Sequence, residues 1–497
     1  MLLAACSSWL GVETNDSVPA ADPTTTTTTT TGATTTATVV PSTTTTTPQR
    51  PSGTVPGWTV GQPWGSVDGL TMFRGNPTRT YYGEPPVPND PDLLWAYPAG
   101  GSLCSSSSVS GTTTTWCGTG WTGQPVVYER SDGVTEVIFG AYDRKVHFLD
   151  GSTGLPTRPA FATGDLIKGS VSLDPDGFPL LYFGSRDNKL RIVALDRPEP
   201  ELLWDLDASA VPGIWNNDWD GNPVILDDLL LEGGENSWFF IIKLNRSYDA
   251  GGLVTVAPER LVEVPGYTDE LISRVGKNVS IENSPAVFDD RVYFANSGGR
   301  IVGLDLSNLD TGKAPVVFDY WVGDDVDATI TVDAEGMLYV AVELERFNDR
   351  SAELGQLIKL NPYAGDPYVW GVPVPPRGAG DGGMWATPAL GDGTIYASTH
   401  PGELLAVDTD TGEVLWRDEI GFHAWSSPVI VDNTLVVSVN CETGGGLRAY
   451  SLDNPAEPVQ TWQYDHDSGC IESTPAVWKG TIYVGSRDGR FYAFGEK

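Results

Sequence analysis

One stretch of the sequence decides the fold: Leu404-Leu-Ala-Val-Asp-Thr-Asp-Thr-Gly-Glu-Val-Leu-Trp416, followed by Trp425-Ser-Ser-Pro-Val-Ile-Val431 and Asn433-Thr-Leu-Val-Val-Ser438. Apolar residues alternate in each piece, which is typical of strands that are buried on one face. The Asp-x-x-Thr-Gly sequence provides a tight turn, because glycine tolerates a positive φ. We therefore predict a four-stranded antiparallel unit that has a strand ending in tryptophan.

Weaker copies of this unit recur along the chain, as in repeat architectures. Aromatic residues mark the ends of outer strands, with two degenerate copies: Trp95, Trp204, Trp321, Trp370, Trp416 and Trp462, and copies near Phe161 and Val262. A second marker precedes each inner strand: Gln124-Pro125, Asn222-Pro223, Ser284-Pro285, Thr387-Pro388, Ser427-Pro428 and Thr474-Pro475, with copies lacking proline near Ser172 and Thr329. Both counts give eight, so we predict an all-β, eight-bladed β-propeller over residues 66–497.

The two sets of markers are offset by half a unit. The first outer strand (residues 93–97) comes before any inner strand, and the last copy (residues 474–494) ends without an outer strand. We therefore expect the N-terminal strand to complete the last blade, which closes the ring and leaves no open sheet edge.

The chain of 497 residues is strongly acidic. Its 30 Lys and Arg residues against 65 Asp and Glu residues give a formal net charge of −35. Nucleic-acid binding and attraction to an anionic membrane surface both require a positive field, so this balance argues against them. It permits cationic ligands, metal ions and basic protein partners.

The start of the sequence indicates export. Leu3-Ala-Ala-Cys6 resembles a bacterial lipobox, in which the cysteine carries lipid, although the basic and long apolar parts of a full signal are missing. Threonine occupies 17 of the 24 positions from 24 to 47, a composition typical of a disordered tether or glycosylated stalk. We expect a truncated signal remnant at residues 1–6, a Thr-rich tether at 7–65, and an extracytoplasmic protein anchored in a membrane only through Cys6.

The remaining cysteines suit an oxidising compartment. If Cys6 carries lipid, four cysteines are left, and counting alone allows three pairings. Cys104 and Cys117 flank one loop rich in Ser and Thr, whereas Cys441 and Cys470 fall at the same rim of two neighbouring blades. We predict the disulfides Cys104–Cys117 and Cys441–Cys470.

The segments at residues 404–416 and 478–493 resemble pyrroloquinoline-quinone-type (PQQ-like) propeller repeats, over roughly residues 71–497. This repeat is shared by quinoprotein dehydrogenases, by the lipoprotein scaffold of the outer-membrane assembly machinery and by other exported proteins, so it implies fold rather than function. The dehydrogenases have two adjacent cysteines beside the quinone, and this sequence has no Cys-Cys pair. The lipobox and the tether are closer to the lipoprotein members, and the resemblance therefore implies no quinone cofactor.

Aligning the blades places one position of each at the mouth of the central channel, where inner strands begin and ligands commonly bind. The candidate ligand-binding residues at this mouth are Trp121, Lys168, Asp218 or Asp220, Glu282, Asp327, Trp385, Trp425 and Glu472. Crowded carboxylates repel one another, so they need a cation, raised pKa values or open solvent. With the tryptophans, they suit a metal ion, a cationic group or a sugar. The alternative is a polar rim without a ligand.

One mouth segment, Asp218-Trp-Asp-Gly-Asn222, has part of a calcium-loop pattern, with oxygen ligands at alternate positions. The EF-hand pattern fails, since Pro223 stands where glycine is needed and Leu229 where the bidentate glutamate belongs. We assign no metal and predict no cofactor. Calcium at Asp218, Asp220 and Asn222 remains the alternative to an Asx-rich turn.

Recognisable catalytic motifs are missing from the sequence. The four histidines lack metal-site spacing, and neither a Gly-x-Ser-x-Gly motif nor a phosphate-binding loop occurs. We expect His147 and His466 to be structural. Residues 343–356 interrupt the fifth blade, and we expect them to form a charged, surface-exposed loop.

These observations favour an exported, lipid-anchored, non-catalytic monomer that binds a ligand, a protein or an envelope polymer. The first alternative is an extracytoplasmic enzyme that uses the acidic mouth with calcium or a quinone, or as paired carboxylates. The second is a structural or adhesion protein of the cell surface.

Overall fold

Eight largely antiparallel sheets of four or five strands form most of the structure, a computed structural model that describes residues 60–109, 112–120, 123–378, 380–439, 445–465 and 469–497. The sheets are the blades of an eight-bladed β-propeller, as the two sets of markers predict. Cys6, Trp121, Cys441, His466 and the threonine tract lie outside the described residues.

Five strands precede the first blade's own strands: β1 (Gly69–Leu70), β2 (Gly83–Glu84), β3 (Asp92–Tyr97), β4 (Cys104–Val109) and β5 (Thr112–Cys117). Blades 1 and 2 contain β6 (Val126–Glu129), β7 (Thr135–Ala141), β8 (Lys145–Asp150), β9 (Phe161–Ala162), β10 (Ser172–Leu173), β11 (Leu180–Ser185), β12 (Lys189–Ala194) and β13 (Glu201–Asp207). Blade 3 contains β14 (Val224–Leu226), β15 (Leu229–Gly233), β16 (Trp238–Lys243) and β19 (Glu259–Pro265), with a hairpin of β17 (Ser247–Tyr248) and β18 (Val254–Thr255) inserted.

Helix α1 (Asp269–Val275) leads into blade 4, which contains β20 (Ala286–Phe288), β21 (Arg291–Ala295), β22 (Arg300–Asp305) and β23 (Val316–Trp321). Blade 5 contains β24 (Thr331–Val332), β25 (Leu338–Ala341), β27 (Leu357–Leu360) and β28 (Tyr368–Val372), with β26 (Glu343–Leu344) and α2 (Asp349–Leu354) inserted. Short 3-10 turns occupy Ala208–Ala210 and Leu309–Thr311.

Strand β29 (Gly382–Gly383) precedes blade 6, which contains β30 (Ala389–Leu390), β31 (Thr394–Ser398), β32 (Glu403–Asp408) and β33 (Val414–Glu419). Blade 7 contains β34 (Val429–Val431), β35 (Thr434–Val439), β36 (Gly446–Ser451) and β37 (Val459–Asp465). Blade 8 contains β38 (Ala476–Trp478), β39 (Thr481–Ser486) and β40 (Arg490–Gly495).

The ring closes as predicted. Strand β3 pairs antiparallel with β40, with Trp95 opposite Ala493, so the N-terminal strand is the outer strand of blade 8. Each blade therefore has neighbours on both sides, which protects its faces and leaves only short outer edges exposed.

Two of the recurrent tryptophans bind the turn of the next blade. The Trp370 indole donates a hydrogen bond to the Thr409 carbonyl at 2.9 Å, and Trp95 donates to the Gly151 carbonyl at 2.9 Å. Gly412 ends the Asp-x-x-Thr-Gly turn with a φ of +74°, and a Cβ there would lie 2.7 Å from the Trp370 ring. The sequence signature thus joins one blade to the next.

The polar markers before the inner strands also join neighbouring blades. The Thr329 amide donates to the Thr387 hydroxyl at 3.0 Å, and the Thr387 amide donates to the Ser427 hydroxyl at 3.0 Å. Equivalent bonds run from the Gln124 amide to Ser170 and from the Ser284 amide to Thr329. Ser170, two residues before the expected Ser172, is therefore the marker position of blade 2.

The central channel is filled by the chain itself, a feature that the sequence did not predict. Strand β1 pairs antiparallel with β6, and β2 pairs parallel with β38. Residues 71–82, which we call the channel segment, lie between these strands and are buried throughout. Their carbonyl groups accept hydrogen bonds from inner strands, including Val287 to Pro77 and Val332 to Thr78.

Two buried arginines fix the channel segment. Arg74 donates to the carbonyls of Thr387, Pro388 and Pro428, on blades 6 and 7. Arg79 donates to the carbonyl of Pro285 on blade 4 and also to the side chain of Asn222 on blade 3. Burial lowers the pKa of Arg79 to about 9. The segment therefore ties inner strands from opposite sides of the ring together.

The inserted segment at residues 343–356 is not a solvated loop, and the prediction of surface exposure is wrong for much of it. Strand β26 pairs with β29, which draws Glu343 and Leu344 into the protein. Ser351 and Leu354 of α2 are also buried. Backbone pairing and packing of the apolar side of α2 outweigh the charged composition that suggested exposure.

The predicted disulfide between Cys104 and Cys117 is present and joins β4 to β5. Cys470 is also disulfide-bonded, and its predicted partner Cys441 lies outside the described residues. His147 lies in β8, where its ring contacts Tyr97 and Asp143, as expected of a structural histidine. Among the described residues, no helix has the length and apolar character needed to cross a membrane.

Candidate functional site

Two sets of loops form the channel mouth, the end of the channel at which the inner strands begin. One set precedes each inner strand, and the other joins the second and third strands of each blade. We call this side of the propeller the mouth face and the opposite side the turn face. The candidate residues from the sequence come only from the first set, so their partners in the second set were missed.

On blade 3 the acidic residues surround a lysine from blade 2. The Lys168 ammonium forms ion pairs with Asp220, with Glu235 at 3.0 Å and with Asp218 at 3.7 Å. Arg186 lies 2.9 Å from the Asp218 carboxylate. The three carboxylates thus have internal cations, which reduces their mutual repulsion.

The pKa values follow from burial and from these charges. Burial disfavours the charged form of Lys168, but the negative charges of Asp220, Glu235 and Asp218 raise its pKa well above the usual value. Burial and the Glu235 charge raise the pKa of Asp218 to about 8. For Glu235, the effect of burial is outweighed by the Lys168 charge together with side-chain hydrogen bonds, including those from Lys168 and Asn216, and its pKa is lowered.

On blade 5 the acidic residues have less compensation. Asp325, Asp327 and Glu343 each present an oxygen atom, and these atoms lie within 4.8 Å of one another. Arg346 is 3.4 Å from Asp325, and among the described residues Glu343 forms no ion pair. Burial and neighbouring carboxylates raise the pKa values of Asp327 and Glu343 well above the usual range.

Glu282 of blade 4 lies between the two groups. Its carboxylate accepts hydrogen bonds from Ser280 at 2.6 Å and from Ser297 at 3.3 Å. The Ser297 hydroxyl is also 3.5 Å from Asp327. Burial and the charge of Glu235 raise the pKa of Glu282 to about 8.

The structure divides the predicted mouth residues into separate groups. Lys168, Asp218, Asp220, Glu282 and Asp327 share the acidic sector of blades 2–5. Elsewhere, Glu472 pairs with Arg487 at 3.5 Å, and burial raises its pKa. Trp121 lies outside the described residues.

The two remaining tryptophans pack on a histidine. The Trp385 ring centre lies 3.9 Å from that of His400, and the Trp425 indole donates to His400 Nδ1 at 2.8 Å. Trp385 is only 6% exposed, so its ring has no free face on which a sugar could stack. Burial and the neighbouring His423 lower the pKa of His400 to about 3.

The calcium loop considered for Asp218, Asp220 and Asn222 is not formed. Asn222 points to the channel segment, where its side-chain oxygen accepts from the Phe73 amide at 3.0 Å and from Arg79 at 2.9 Å. The Lys168 ammonium already lies among the carboxylates of Asp218 and Asp220. The Asn222 side chain is therefore turned away from the two carboxylates, and the Lys168 ammonium supplies a positive charge beside them.

One cavity at the mouth, lined by described residues, is small. Its volume is about 20 Å³, and its lining includes Phe73 of the channel segment, Asp220, Glu282 and Asp327. That is room for one or two water molecules, whereas pockets for organic ligands measure roughly 300–1,000 Å³. The residues that line this cavity therefore do not fit a quinone, and the sequence has no adjacent cysteines.

Several residues of the site were not predicted from the sequence: Arg186, Glu235, Asp325, Glu343, Arg346 and Arg487. Glu235 and Glu343 each stand two residues after the second strand of their blade. This shared offset is a signal that aligning the second strands would have revealed. Arg346 does not stand at such a repeated position, so no comparable signal predicts it.

Comparisons with known proteins agree with the fold. A family model described as outer membrane protein assembly factor BamB matches residues 354–496. BamB of Shewanella oneidensis is 28% identical over 100 residues, which cover 19% of this chain and 24% of that protein. BamB of Yersinia pestis is 25% identical over 141 residues, which cover 22% and 36%. The chain thus matches about a quarter to a third of the length of these relatives.

Solved structures of low sequence identity share the architecture. Quinohemoprotein alcohol dehydrogenase from Comamonas testosteroni superposes with a TM-score of 0.53 at 16% identity, covering 86% of this chain and 81% of that one. A europium-containing methanol dehydrogenase gives 0.54 at 13% identity, covering 86% and 98%. At such identities the likeness concerns fold alone. The chain is thus an eight-bladed β-propeller, and residues 354–496 of it are similar to PQQ-like repeats.

Proposed function

We propose that this chain is a non-catalytic binding protein of the cell envelope, and that it engages a protein partner through its mouth face. The partial matches to two outer membrane protein assembly factors support an extracytoplasmic scaffold role. The proposal includes a lipid anchor at Cys6, the Thr-rich tether and a Cys441–Cys470 disulfide, and it takes the protein to be a monomer.

The closed channel is the observation that carries this proposal. The channel segment fills the interior, and the cavity that described residues line at the mouth measures about 20 Å³. An organic substrate or cofactor needs a pocket more than ten times larger. This cavity therefore does not serve the recognition of anything larger than an ion, and we place the partner's contacts on the outer surface.

The mouth face carries most of the additions to the basic blade. The disulfide-linked β4–β5 hairpin, α1 and the insertion containing α2 all belong to loops on this side. The described chain enters from the turn face, where Ser66 contacts the turn between β10 and β11. The mouth face is the side opposite to this contact.

Two exposed aromatic residues lie in mouth-face loops. Trp215 precedes β14 and is 49% exposed, and Phe347 precedes α2 and is 52% exposed. Phe347 has a φ of 50°, which is strained for a bulky residue and often marks a functional position. Tryptophan is among the residues that dominate binding energy at protein interfaces.

Site-specific photo-crosslinking in intact cells tests the proposal. A photoreactive amino acid at position 215 or 347 should give a discrete adduct with one envelope protein. A matched probe at position 155, an exposed leucine on the turn face, should not. With the purified partner, the double variant Trp215→Ala/Phe347→Ala should bind at least about tenfold more weakly, as expected for interface anchors.

Two results would overturn this assignment. Equal crosslinking from both faces would remove the mouth face as the binding surface. Adducts confined to the outer strands, with none at the mouth face, would favour the structural or adhesion alternative.

A further inference from the structure

Blades 3, 4 and 5 place side chains at the same three positions around the mouth. Two of these positions lie four and two residues before the polar marker that precedes the inner strand of the blade. The third lies two residues after the end of the blade's second strand. These positions hold Asp218, Asp220 and Glu235 in blade 3, Ser280, Glu282 and Ser297 in blade 4, and Asp325, Asp327 and Glu343 in blade 5. Blades 3 and 5 thus carry the same triad of carboxylates.

In blade 3, the preceding blade supplies the counter-charge. Lys168 stands two residues before Ser170, the marker of blade 2, and its ammonium contacts all three carboxylates of the triad. A single positive charge therefore occupies the centre of that triad.

In blade 5, the preceding blade supplies another acid. The residue two before the blade 4 marker is Glu282, which shares the Ser297 hydroxyl with Asp327 at 3.3 and 3.5 Å. Four carboxylates consequently meet where blade 3 has three carboxylates and an ammonium. Arg346 compensates at one edge only, through Asp325 and Asp324.

Two oxygen atoms of the blade 5 triad have no hydrogen-bond partner within the described parts of the chain. They are Oδ1 of Asp325 and Oε1 of Glu343. Asp325 is 5% exposed and Glu343 is 1% exposed. A buried polar atom without a partner is costly, and a buried carboxylate oxygen especially so. Their positions are explained if a cation lies among them.

The ligand set fits calcium. All the ligands are oxygen atoms, which hard cations prefer, and calcium accepts them at about 2.3–2.6 Å in variable geometry. Oxygen atoms within 4.8 Å of one another are close enough to share one such ion. Magnesium demands about 2.0–2.1 Å and near-octahedral geometry, and it usually keeps several waters.

We propose that Asp325, Asp327 and Glu343, with Glu282 at their edge, bind one calcium ion. The ion takes the place that the Lys168 ammonium takes in blade 3. Glu343 lies four residues before Phe347, so the ion also fixes the base of the loop that presents this aromatic side chain.

Isothermal titration calorimetry of the chelator-stripped full chain with calcium chloride tests the proposal. We expect one ion per chain with a Kd below about 1 mM, and calcium should raise the Tm. Asp327→Asn and Glu343→Gln should each weaken binding at least about tenfold, because affinity follows the number of charged ligands. Both variants should fold without calcium, since each removes a repulsive charge.

Two further variants sharpen the test. Glu282→Lys copies the arrangement of blade 3, so it should abolish calcium binding and raise the Tm of the calcium-free protein. Asp218→Asn, in the triad that Lys168 neutralises, should retain the wild-type calcium affinity.

Three results would overturn the proposal. The first is the absence of binding heat up to about 5 mM calcium, a concentration that exceeds the Kd range of weak calcium sites. The second is an unchanged calcium affinity in both blade 5 variants. The third is an affinity for magnesium equal to that for calcium. The outcome is separate from the crosslinking experiment, because calcium binding is measured without a partner.

Discussion

At the scale of single residues, the repeat signature is a set of contacts between blades. Gly412 has a φ of +74°, and its α-carbon faces the ring of Trp370 from the preceding blade. The sequence predicts this turn well, because the glycine and the tryptophan recur with it. The same residues explain why the spacing of the tryptophans measures the blades.

Substituting Gly412 separates backbone strain from the blade contact. Gly412→Ala should lower the free energy of unfolding by about 2–4 kcal/mol, from a left-handed φ and from the clash with Trp370. Gly393→Ala is the matched control, since Gly393 has a φ of +69° and no described atom lies within 4 Å of the position that a Cβ would take there. Gly393→Ala should lower the free energy of unfolding by only about 1–2 kcal/mol. Equal losses in urea denaturation would contradict the proposed contact.

The raised pKa of Glu282 predicts a pH dependence in the absence of calcium. Its pKa rises from 4.5 when unfolded to about 8 in the folded protein, so the folded state binds the proton more tightly. Binding of this proton to Glu282 stabilises the folded protein. This contribution to the free energy of unfolding is complete below pH 4.5 and is lost as the pH rises through about 8. Glu282→Gln should therefore reduce the fall in unfolding free energy between pH 5 and pH 8, measured with a chelator present. An unchanged slope would show that Glu282 titrates normally.

The acidic site was only partly predictable from single residues. Asp218, Asp220, Glu282 and Asp327 were found because they precede inner strands at a fixed distance. The pairing of these carboxylates with lysine and arginine residues was not predicted, because those residues lie on neighbouring blades or loops and are distant in sequence. Asn222 was considered as a calcium ligand because of its spacing, but its side chain accepts hydrogen bonds from Phe73 and Arg79 of the channel segment.

At the scale of elements, the blades were predictable and the channel segment was not. Strands alternate with period two and carry recurrent markers, whereas the channel segment is irregular and occurs once. Its Arg-Gly-Asn-Pro sequence at residues 74–77 indicates a turn. Nothing local indicates that two arginines, Arg74 and Arg79, will be buried against carbonyl groups of distant blades.

The polar markers predict a loss of stability on a single substitution. Thr387→Val removes the acceptor of the Thr329 amide while nearly preserving side-chain shape, and Thr387 is 2% exposed. Leaving that buried amide unpaired should cost about 1–3 kcal/mol in urea denaturation. Thr387→Ser keeps the hydroxyl and is the control, with a smaller loss from one missing methyl group. A valine variant as stable as the serine variant would contradict the role of this bond.

At the scale of the whole molecule, closure explains both stability and the limits on function. The outer strand β3 joins the N-terminal part of the propeller to its last blade, and the channel segment joins inner strands across the ring. The offset of the two marker sets predicted the first connection. The second connection, made by the channel segment, occupies the axial space in which a propeller would otherwise hold an organic ligand.

The mouth cavity that the described residues line has room for an ion but not for an organic molecule. Native mass spectrometry of the protein purified from its own envelope without chelator, compared with its denatured mass, tests this claim directly. Covalently attached groups contribute equally to both masses, so only non-covalent ligands appear in the difference. We predict a difference that metal ions account for in full. A stoichiometric organic mass that is lost on denaturation would contradict the closed mouth and restore the cofactor-dependent enzyme.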